Sequence, residues 1–252
     1  MNYKLTNQSY FIKAYFNETV LSTATGFFFR YKDKPYFITN YHVATGRNPE
    51  NFKTIDMNCA IPNKICIFTP DTNNTIFEWN WDENKPEDFW ILPNNKHDIA
   101  IKNINSTEIK DSIEWVDLFA GKDWEVSITE KVVVVGYPYG DRVSTSIPCC
   151  LTGYVATDID IDFNDKPLFL IDSRTREGMS GSPVYFYITT GQGVKKSNES
   201  ISFGFGDKSN PLIQKFLGIY SGRIDKESDL GKVWKVKAIT NLLDSFSIAK
   251  IF

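Results

Sequence analysis

The chain has 252 residues, 42% of them hydrophobic and 15% aromatic, which suits one large β or α/β domain or two small subdomains. Lysine and arginine number 28 against 31 acidic residues, and a net charge of −3 gives no electrostatic signature of nucleic-acid binding. Only 2 histidines and 4 cysteines are present, so the composition disfavours a metal site or a disulfide framework.

The short apolar segments predict neither a membrane span nor a secretory signal. The N-terminal region lacks the uninterrupted apolar stretch of a secretory signal, and no later run approaches the roughly 18 residues of a membrane span. The four cysteines show no CxxC spacing, and the adjacent Cys149 and Cys150 are poorly placed for an ordinary structural bridge. We therefore expect reduced thiols in a cytoplasmic protein that does not bind a membrane.

Short apolar segments bounded by turn residues run through most of the chain. The first two, Gly26–Tyr31 and Tyr36–Thr39, flank a polar turn that contains Pro35 and predict a β-hairpin. Residues 42–46 suit one short helical turn, and Ala238–Phe246 places its apolar residues at the spacing of a docked helix. Many short strands with few helices predict a β-barrel or sandwich, with further strands at 65–68, 99–101, 131–135, 151–156, 168–171, 184–188 and 216–220.

Two long polar stretches are predicted to be surface insertions. Residues 69–96 are rich in Asn, Asp and Pro and contain three tryptophans, which leaves two possibilities open: a loop, or a lid that faces a substrate or partner. Residues 191–211 are rich in Gly, Ser and Lys and are predicted to form a loop. The stretch 112–127 is expected to join two halves of similar length.

Three segments carry residue types that together support nucleophilic catalysis. A strand-like segment ends in His42, Asp98 begins an apolar strand, and Ser180 lies in a glycine-rich turn before another strand. A serine hydroxyl is a weak nucleophile at neutral pH and needs a base such as histidine within hydrogen-bonding distance. The histidine needs a carboxylate to fix its tautomer, and glycine beside the serine lets two backbone N–H groups converge on an oxyanion.

In this order the three segments resemble the trypsin/chymotrypsin-like serine peptidases. The sequences 39-TNYHV-43, 98-DIA-100 and 178-GMSGSP-183 are similar to motifs of the bacterial Do-like and glutamyl-endopeptidase-like branches. The turn 136-GYP-138 and the strand-like 217-LGIYSG-222 also resemble family segments, and the resemblance spans about Thr23 to Phe246.

The resemblance implies an all-β fold of two six-stranded antiparallel barrels followed by a short C-terminal helix. Residues 1–118 would form the barrel that carries His42 and Asp98. Residues 119–252 would form the second barrel, with Ser180 and the helix.

The resemblance also implies a role for each site residue. His42 would act as general base and then general acid, Asp98 would orient it, and Ser180 would be the nucleophile. The amides of Gly178 and Ser180 would form the oxyanion hole, and the backbone of Ser221 would bind the substrate residue before the cleaved bond. No metal or organic cofactor is needed for this chemistry.

Departures from the family pattern bear on compartment and regulation. Thr25 and Val43 stand where secreted digestive members carry a cysteine bridge, in agreement with a reducing compartment. Met179 replaces the aspartate that in those enzymes pairs with a new N-terminus on activation, so that switch is absent.

Substrate preference is expected to depend on a pocket beside the nucleophile. Arg174, six residues before Ser180, would lie at its base, Tyr220 would line a wall, and Arg223 follows the substrate-pairing strand. A guanidinium there would favour an acidic residue before the cleaved bond. The nearby Arg176 leaves the alternative that this loop is simply basic on its solvent side.

We expect a serine endopeptidase that cleaves protein or peptide substrates through an acyl-enzyme. One alternative is a latent or catalytically silent trypsin-like scaffold that binds a protein partner or is activated by it. Another is an esterase that uses the same site. His97, next to Asp98, is a competing candidate for the base and is interpreted as a loop residue.

Overall fold

Strands dominate the structure, a computed structural model that describes residues 5–70, 72, 74–140, 143, 147–188, 194–197, 200–203, 213–225 and 227–249. Short 3-10 turns occur at Thr6–Gln8, Pro86–Asp88 and Ser106–Glu108. The first half contains the helix α1 (Tyr41–Thr45) and the strands β1 (Tyr10–Phe16), β2 (Thr19–Tyr31), β3 (Lys34–Thr39), β4 (Lys64–Phe68), β5 (Thr75–Asn80), β6 (Ala100–Asn103) and β7 (Trp115–Val116).

The second half is built from eight strands and ends in a longer helix. The helix α2 (Val236–Ala249) begins directly after the last strand. The strands are β8 (Lys131–Gly136), β9 (Cys149–Val155), β10 (Leu168–Asp172), β11 (Pro183–Ile188), β12 (Val194–Ser197), β13 (Ser200–Phe203), β14 (Ile213–Arg223) and β15 (Leu230–Lys235).

The first half forms an open sheet in the order β5-β4-β1-β2-β3-β6, with β7 paired parallel to β2. Residues 24–29 of the central strand β2 are buried on both faces because the phenylalanines there alternate between two cores. Phe28 packs in the core of this sheet, whereas Phe27 and Phe29 join a core shared with the second half. The hairpin predicted for residues 26–39 is β2 paired antiparallel with β3.

The second half closes into a six-stranded barrel in the order β10-β15-β14-β11-β8-β9. Its valine-rich strand β8 alternates in the same way, with Val132 and Val134 inside the barrel and Val133 and Val135 in the shared core. The apolar face of α2 packs on that shared core through Ile239, which is fully buried.

The predicted all-β fold with a C-terminal helix is confirmed, and the structure refines the two predicted barrels and the bounds of the helix. The barrel of the second half closes, while the pairings of the first half leave an open sheet in place of a closed barrel. The helix predicted at Ala238–Phe246 is longer, Val236–Ala249. The domain boundary predicted after residue 118 stays a prediction, and Leu118 itself lies in the shared core.

The tryptophan-bearing stretch 69–96 is part of the first core and not a lid. It contains β5, and Trp79 and Trp90 are 7% and 1% exposed. The ring of Trp79 packs against the rings of Trp90 and Phe37, with centroid distances of 6.4 and 5.5 Å. Of the stretch 191–211, only β12 and β13 fall within the described residues, so the loop predicted there lies largely outside them.

Neither described helix is long and apolar enough to cross a membrane.

Candidate functional site

His42 lies in α1, which begins directly after β3. Asn40 is extended, with φ −83° and ψ 154°, and the helix ends at Gly46 in the left-handed conformation that glycine adopts without strain. This short turn of helix sets the imidazole at the edge of the sheet, with its side chain 24% exposed. The sequence prediction of a single helical turn at residues 42–46 corresponds to α1.

Asp98 holds His42 at two points. His42 Nδ1 lies 2.7 Å from Asp98 Oδ2, and the backbone N–H of His42 donates to Asp98 Oδ1 at 3.0 Å. A carboxylate can only accept, so Nδ1 carries the proton and Nε2 is left free to act as a base. Two contacts from one carboxylate fix both the tautomer and the orientation of the ring.

The environment of Asp98 keeps its carboxyl group ionised. Burial alone would raise the pKa of this 4% exposed residue, but the charge attraction of His42 and its two hydrogen bonds outweigh burial and lower the pKa below its ordinary value. Asp98 is therefore a carboxylate at neutral pH and can stabilise an imidazolium on His42.

Asn40 ties the two segments of this pair together. The side-chain Nδ2 of Asn40 donates to the backbone carbonyl of Asp98 at 2.8 Å, and Asn40 is fully buried. This contact joins the start of α1 to the segment that leads into β6. Asn40 belongs to the 39–43 motif, but the sequence predicted no role for it. Its acceptor, the backbone carbonyl of Asp98, is 58 residues away and has no sequence signature.

Ser180 lies in a turn held from both halves of the molecule. Its carbonyl accepts from the N–H of Thr25 in β2 at 2.8 Å, and the next N–H, of Gly181, donates to Tyr220 in β14 at 2.9 Å. Thr25 Oγ1 also donates to Gly178 O at 2.8 Å. Thr25, identified in the sequence only as a replaced cysteine, is thus a main anchor of this turn.

Two N–H groups in the turn 178–182 have no internal acceptor among the described residues, those of Gly178 and Ser180. The other three are used: Met179 donates to Arg176, Gly181 to Tyr220 and Ser182 to Met179. The Gly178 residue has φ +89°, and the carbonyl before it accepts from Tyr139 N–H at 2.6 Å. The N–H groups of Gly178 and Ser180 are the two donors that the family resemblance predicts for an oxyanion hole.

His42, Gly178 and Ser180 line one cleft of about 610 Å³. Within the described part of the chain, no hydrogen bond joins the Ser180 hydroxyl to the imidazole of His42. His42 and the two residues with free N–H groups, Gly178 and Ser180, nevertheless line the same cleft. A hydrogen bond between a catalytic serine and histidine is often long or poorly aligned before substrate binds. The arrangement has the components needed for acyl transfer.

The four predicted substrate-binding residues lie apart from this cleft's lining. Arg174 is at the surface, its side chain 86% exposed and 4.0 Å from Asp229. Tyr220 is 1% exposed in the barrel core, and its hydroxyl hydrogen-bonds to Thr175. The preference for an acidic residue, which rested on Arg174, stays a prediction.

Ser221 and Arg223 lie where the pairing of β14 with β15 is interrupted by a register shift. Ser221 is 4% exposed, and its hydroxyl accepts from Trp234 Nε1 at 3.0 Å. Arg223 is half-buried at the end of the same strand. Their roles in binding the substrate also stay predictions.

His97 is not among the residues that line the cleft of His42 and Ser180. Its ring packs on Trp234 with a centroid distance of 4.6 Å, and burial, with the nearby charge of Lys166, lowers its pKa. It is a loop residue, as the sequence predicted. Among the described residues, no group of three or more His, Cys, Asp or Glu side chains is arranged to hold a metal ion.

Comparison with known families and structures identifies relatives of this fold. Residues 24–192, more than half of the chain, match a family model described as a trypsin-like peptidase domain. A comparison with curated protein sequences gives no match.

Solved bacterial structures share the architecture at low sequence identity. A serine endoprotease from Yersinia pestis superposes with a TM-score of 0.58 at 13% identity, over 96% of this chain and 63% of that one. The Rv3671c protease from M. tuberculosis in its active form gives 0.53 at 16% identity, over 95% and 81%. Its inactive form gives 0.51 at 16% identity, over 95% and 88%. At such identities the likeness is evidence for the fold alone, and active and inactive forms match equally well.

Proposed function

The chain belongs to the trypsin-like peptidase family, and on that premise we propose that it is a serine endopeptidase acting through Ser180, His42 and Asp98. Members of a peptidase family act on proteins or peptides, so the substrate class follows from the family. The particular residues and the acyl-enzyme route are the proposal.

In the proposed reaction, Ser180 Oγ attacks the peptide carbonyl carbon while His42 Nε2 takes the hydroxyl proton. The oxyanion is stabilised by the N–H groups of Gly178 and Ser180. Collapse breaks the C–N bond, and His42 gives its proton to the leaving amine. Water then attacks the acyl-enzyme, His42 takes its proton, and Ser180 Oγ leaves and is reprotonated.

The observation that carries the proposal is the buried contact between Asp98 and His42. The carboxylate binds the ring Nδ1 at 2.7 Å and the backbone N–H at 3.0 Å, and His42 shares a cleft with Ser180. A structural histidine has no need of an ionised, almost fully buried carboxylate, whereas a general base needs one to stabilise its protonated form.

A fluorophosphonate probe tests the proposal, because it reacts only with an activated serine. We expect the wild-type protein to be labelled and Ser180→Ala to be unlabelled, as read by mass spectrometry of the intact chain. Ser22→Ala is the matched control, since Ser22 lines the same cleft and should leave labelling unchanged. Equal labelling of wild type and Ser180→Ala would refute Ser180 as the nucleophile.

A second candidate is a latent peptidase that a protein partner activates. It is favoured by one observation: in the described residues, Ser180 and His42 line one cleft without a hydrogen bond between them. No labelling of the isolated wild-type protein, with labelling restored by addition of a partner, would support this candidate.

A cytoplasmic location is also part of the proposal. All four cysteines are free, which is the usual state in a reducing compartment. Thr25 and Val43 occupy positions where secreted members carry bridging cysteines.

A further inference from the structure

A cavity continues the cleft beyond His42. The cleft of Ser180 and a second cavity of about 490 Å³ share Leu21, Ser22, His42 and Ile55 as lining residues. The second cavity adds Met57 and Val43. We call these two adjoining spaces the β2-side cleft, defined by Val20, Leu21, Val43, Ile55 and Met57 together with His42.

The direction of this cleft relative to Ser180 can be derived from the contacts of the nucleophile turn. Ser180 lies between Thr25 of β2 and Tyr220 of β14, each joined to the turn by a backbone hydrogen bond. The family resemblance predicts that the acyl half of the substrate pairs with the backbone of Ser221 on β14. The chain beyond the cleaved bond must then leave on the β2 side.

The position of His42 leads to the same direction independently. His42 protonates the leaving amine in the proposed reaction, so that amine must lie against the imidazole. His42 is one of the four residues that line both cavities. The side chain of the residue directly after the cleaved bond therefore enters the β2-side cleft.

The lining exposes large apolar side chains that the fold does not bury. Met57 is 97% exposed, Ile55 56% and Val20 47%. Apolar side chains clustered around a concave surface are typical of ligand sites, because covering them with a ligand releases water. Their position next to His42 makes a substrate side chain the natural occupant.

The charges around the cleft favour a neutral occupant over an acidic one. Among the described lining residues, the ionisable groups are His42, Asp56, Tyr139 and Glu177, and the two carboxylates are the acidic ones that carry charge at neutral pH. Asp56 Oδ1 accepts from the N–H groups of Asn58 and Ala60 at 2.8 and 3.2 Å, so its charge is held within its own loop. A carboxylate on the substrate would face these two acidic groups.

We propose that the β2-side cleft selects a bulky apolar residue, such as leucine, directly after the cleaved bond. The proposal rests on the serine peptidase function proposed above and specifies its substrate on the leaving-group side. Ile55, Met57 and Leu21 would be the residues that determine this preference.

Acyl transfer tests the cleft without the need for a natural substrate. An ester substrate forms the acyl-enzyme, and an amino acid amide competes with water for it. The amine nitrogen bonds to the acyl carbon, the bond to Ser180 Oγ breaks, and the proton lost by the amine reaches that oxygen through His42. The amine must occupy the leaving-group side, by microscopic reversibility.

We expect leucine amide to form about ten times more product than glycine amide at equal concentration, and aspartate amide to form the least. Ile55→Ser/Met57→Ser should reduce the leucine preference about tenfold, read as the ratio of product formed with leucine amide to product formed with glycine amide. Ile55→Leu/Met57→Leu should retain it. Ile161→Ser removes an exposed apolar side chain outside the cleft and should have no effect.

The outcomes separate this proposal from the function on which it rests. Normal ester hydrolysis with equal use of leucine, glycine and lysine amides would overturn the apolar preference and leave the peptidase function intact. A preference for lysine amide would overturn it in favour of selection by Asp56 and Glu177. Failure of both ester hydrolysis and probe labelling in the isolated protein would refute the active peptidase proposed first, and with it the cleft proposal that rests on it.

Discussion

The two halves of the molecule hold their parts of the candidate triad in different ways. His42 and Asp98 are fixed by contacts within the first sheet, through the carboxylate and through Asn40. Ser180 belongs to the second barrel, yet its turn is anchored by Thr25 of the first sheet as well as by Tyr220.

This difference teaches which part of the site depends on how the halves fit together. The histidine–aspartate pair would persist if the halves shifted slightly, because the hydrogen bonds that hold it stay within one sheet. The alignment of Ser180 with His42 would not, because it depends on hydrogen bonds that cross between the halves. The three changes below break the pair, the turn and the link between them.

Breaking the pair should have the largest effect on catalysis. Asp98→Asn replaces an acceptor-only carboxylate with an amide, which no longer enforces the Nδ1–H tautomer and cannot stabilise an imidazolium. We expect kcat at neutral pH to fall by about 10⁴-fold, the size of the same change in a well-studied triad. Steady-state hydrolysis of an ester substrate measures it.

His97→Gln is the matched control, since it changes the neighbouring residue and leaves the carboxylate intact. We expect its kcat to stay within about twofold of wild type. A similar loss in both variants would assign the effect to the loop and not to the Asp98 carboxylate.

Distorting the turn should have the next largest effect. A Cβ at Gly178 would lie 2.2 Å from Tyr137 O, and the φ of +89° is unfavourable for alanine. Gly178→Ala must therefore shift one oxyanion donor, and we expect kcat to fall by about 10²–10³-fold with a smaller change in KM. Ester kinetics measure kcat and KM, and a thermal melt measures the stability of the variant.

Gly222→Ala is the control that separates the effect of backbone strain from the effect of the clash with Tyr137 O in Gly178→Ala. Gly222 has φ +90°, but a Cβ there meets no atom within 4 Å. It should lower the melting temperature less than Gly178→Ala. If Gly178→Ala retained full activity, the amide of Gly178 would not be an oxyanion donor.

Cutting the link between the halves should have the smallest effect of the three. Thr25→Val removes two buried hydrogen bonds: the one that Oγ1 donates to Gly178 O, and the one that Oγ1 accepts from Tyr137 N–H at 3.1 Å. We expect a loss of about 2 kcal/mol in unfolding free energy and roughly a tenfold loss in kcat. Denaturant unfolding and ester kinetics measure the two.

Thr39→Val is the matched control for this link. Thr39 is another fully buried threonine, and its hydroxyl donates to Thr25 O at 2.9 Å without contacting the turn through a hydrogen bond. It should cost stability but change kcat less than Thr25→Val. Equal losses of kcat would mean that general loosening, and not the link to Gly178, lowers activity.

Local patterns were enough to predict the elements that depend on neighbouring residues. Aromatic and β-branched segments around a polar turn marked the β2–β3 hairpin, helical spacing marked α2, and glycines marked the turn around Ser180. Each reflects a preference satisfied within a few residues, such as burial of one face or a left-handed φ. The prediction of a surface insertion at 69–96 was wrong for β5, because the many polar residues around this strand masked the pattern of its buried apolar residues.

The sequence by itself determined the fold class, the family resemblance and the order of the candidate residues, because these follow from local patterning and motifs. Only the tertiary structure decided that Asp98 meets His42, that Thr25 anchors the turn of Gly178 and that Arg174 is exposed. Such contacts join residues tens to more than a hundred positions apart. They depend on how the open sheet packs against the closed barrel, which no short stretch of sequence encodes.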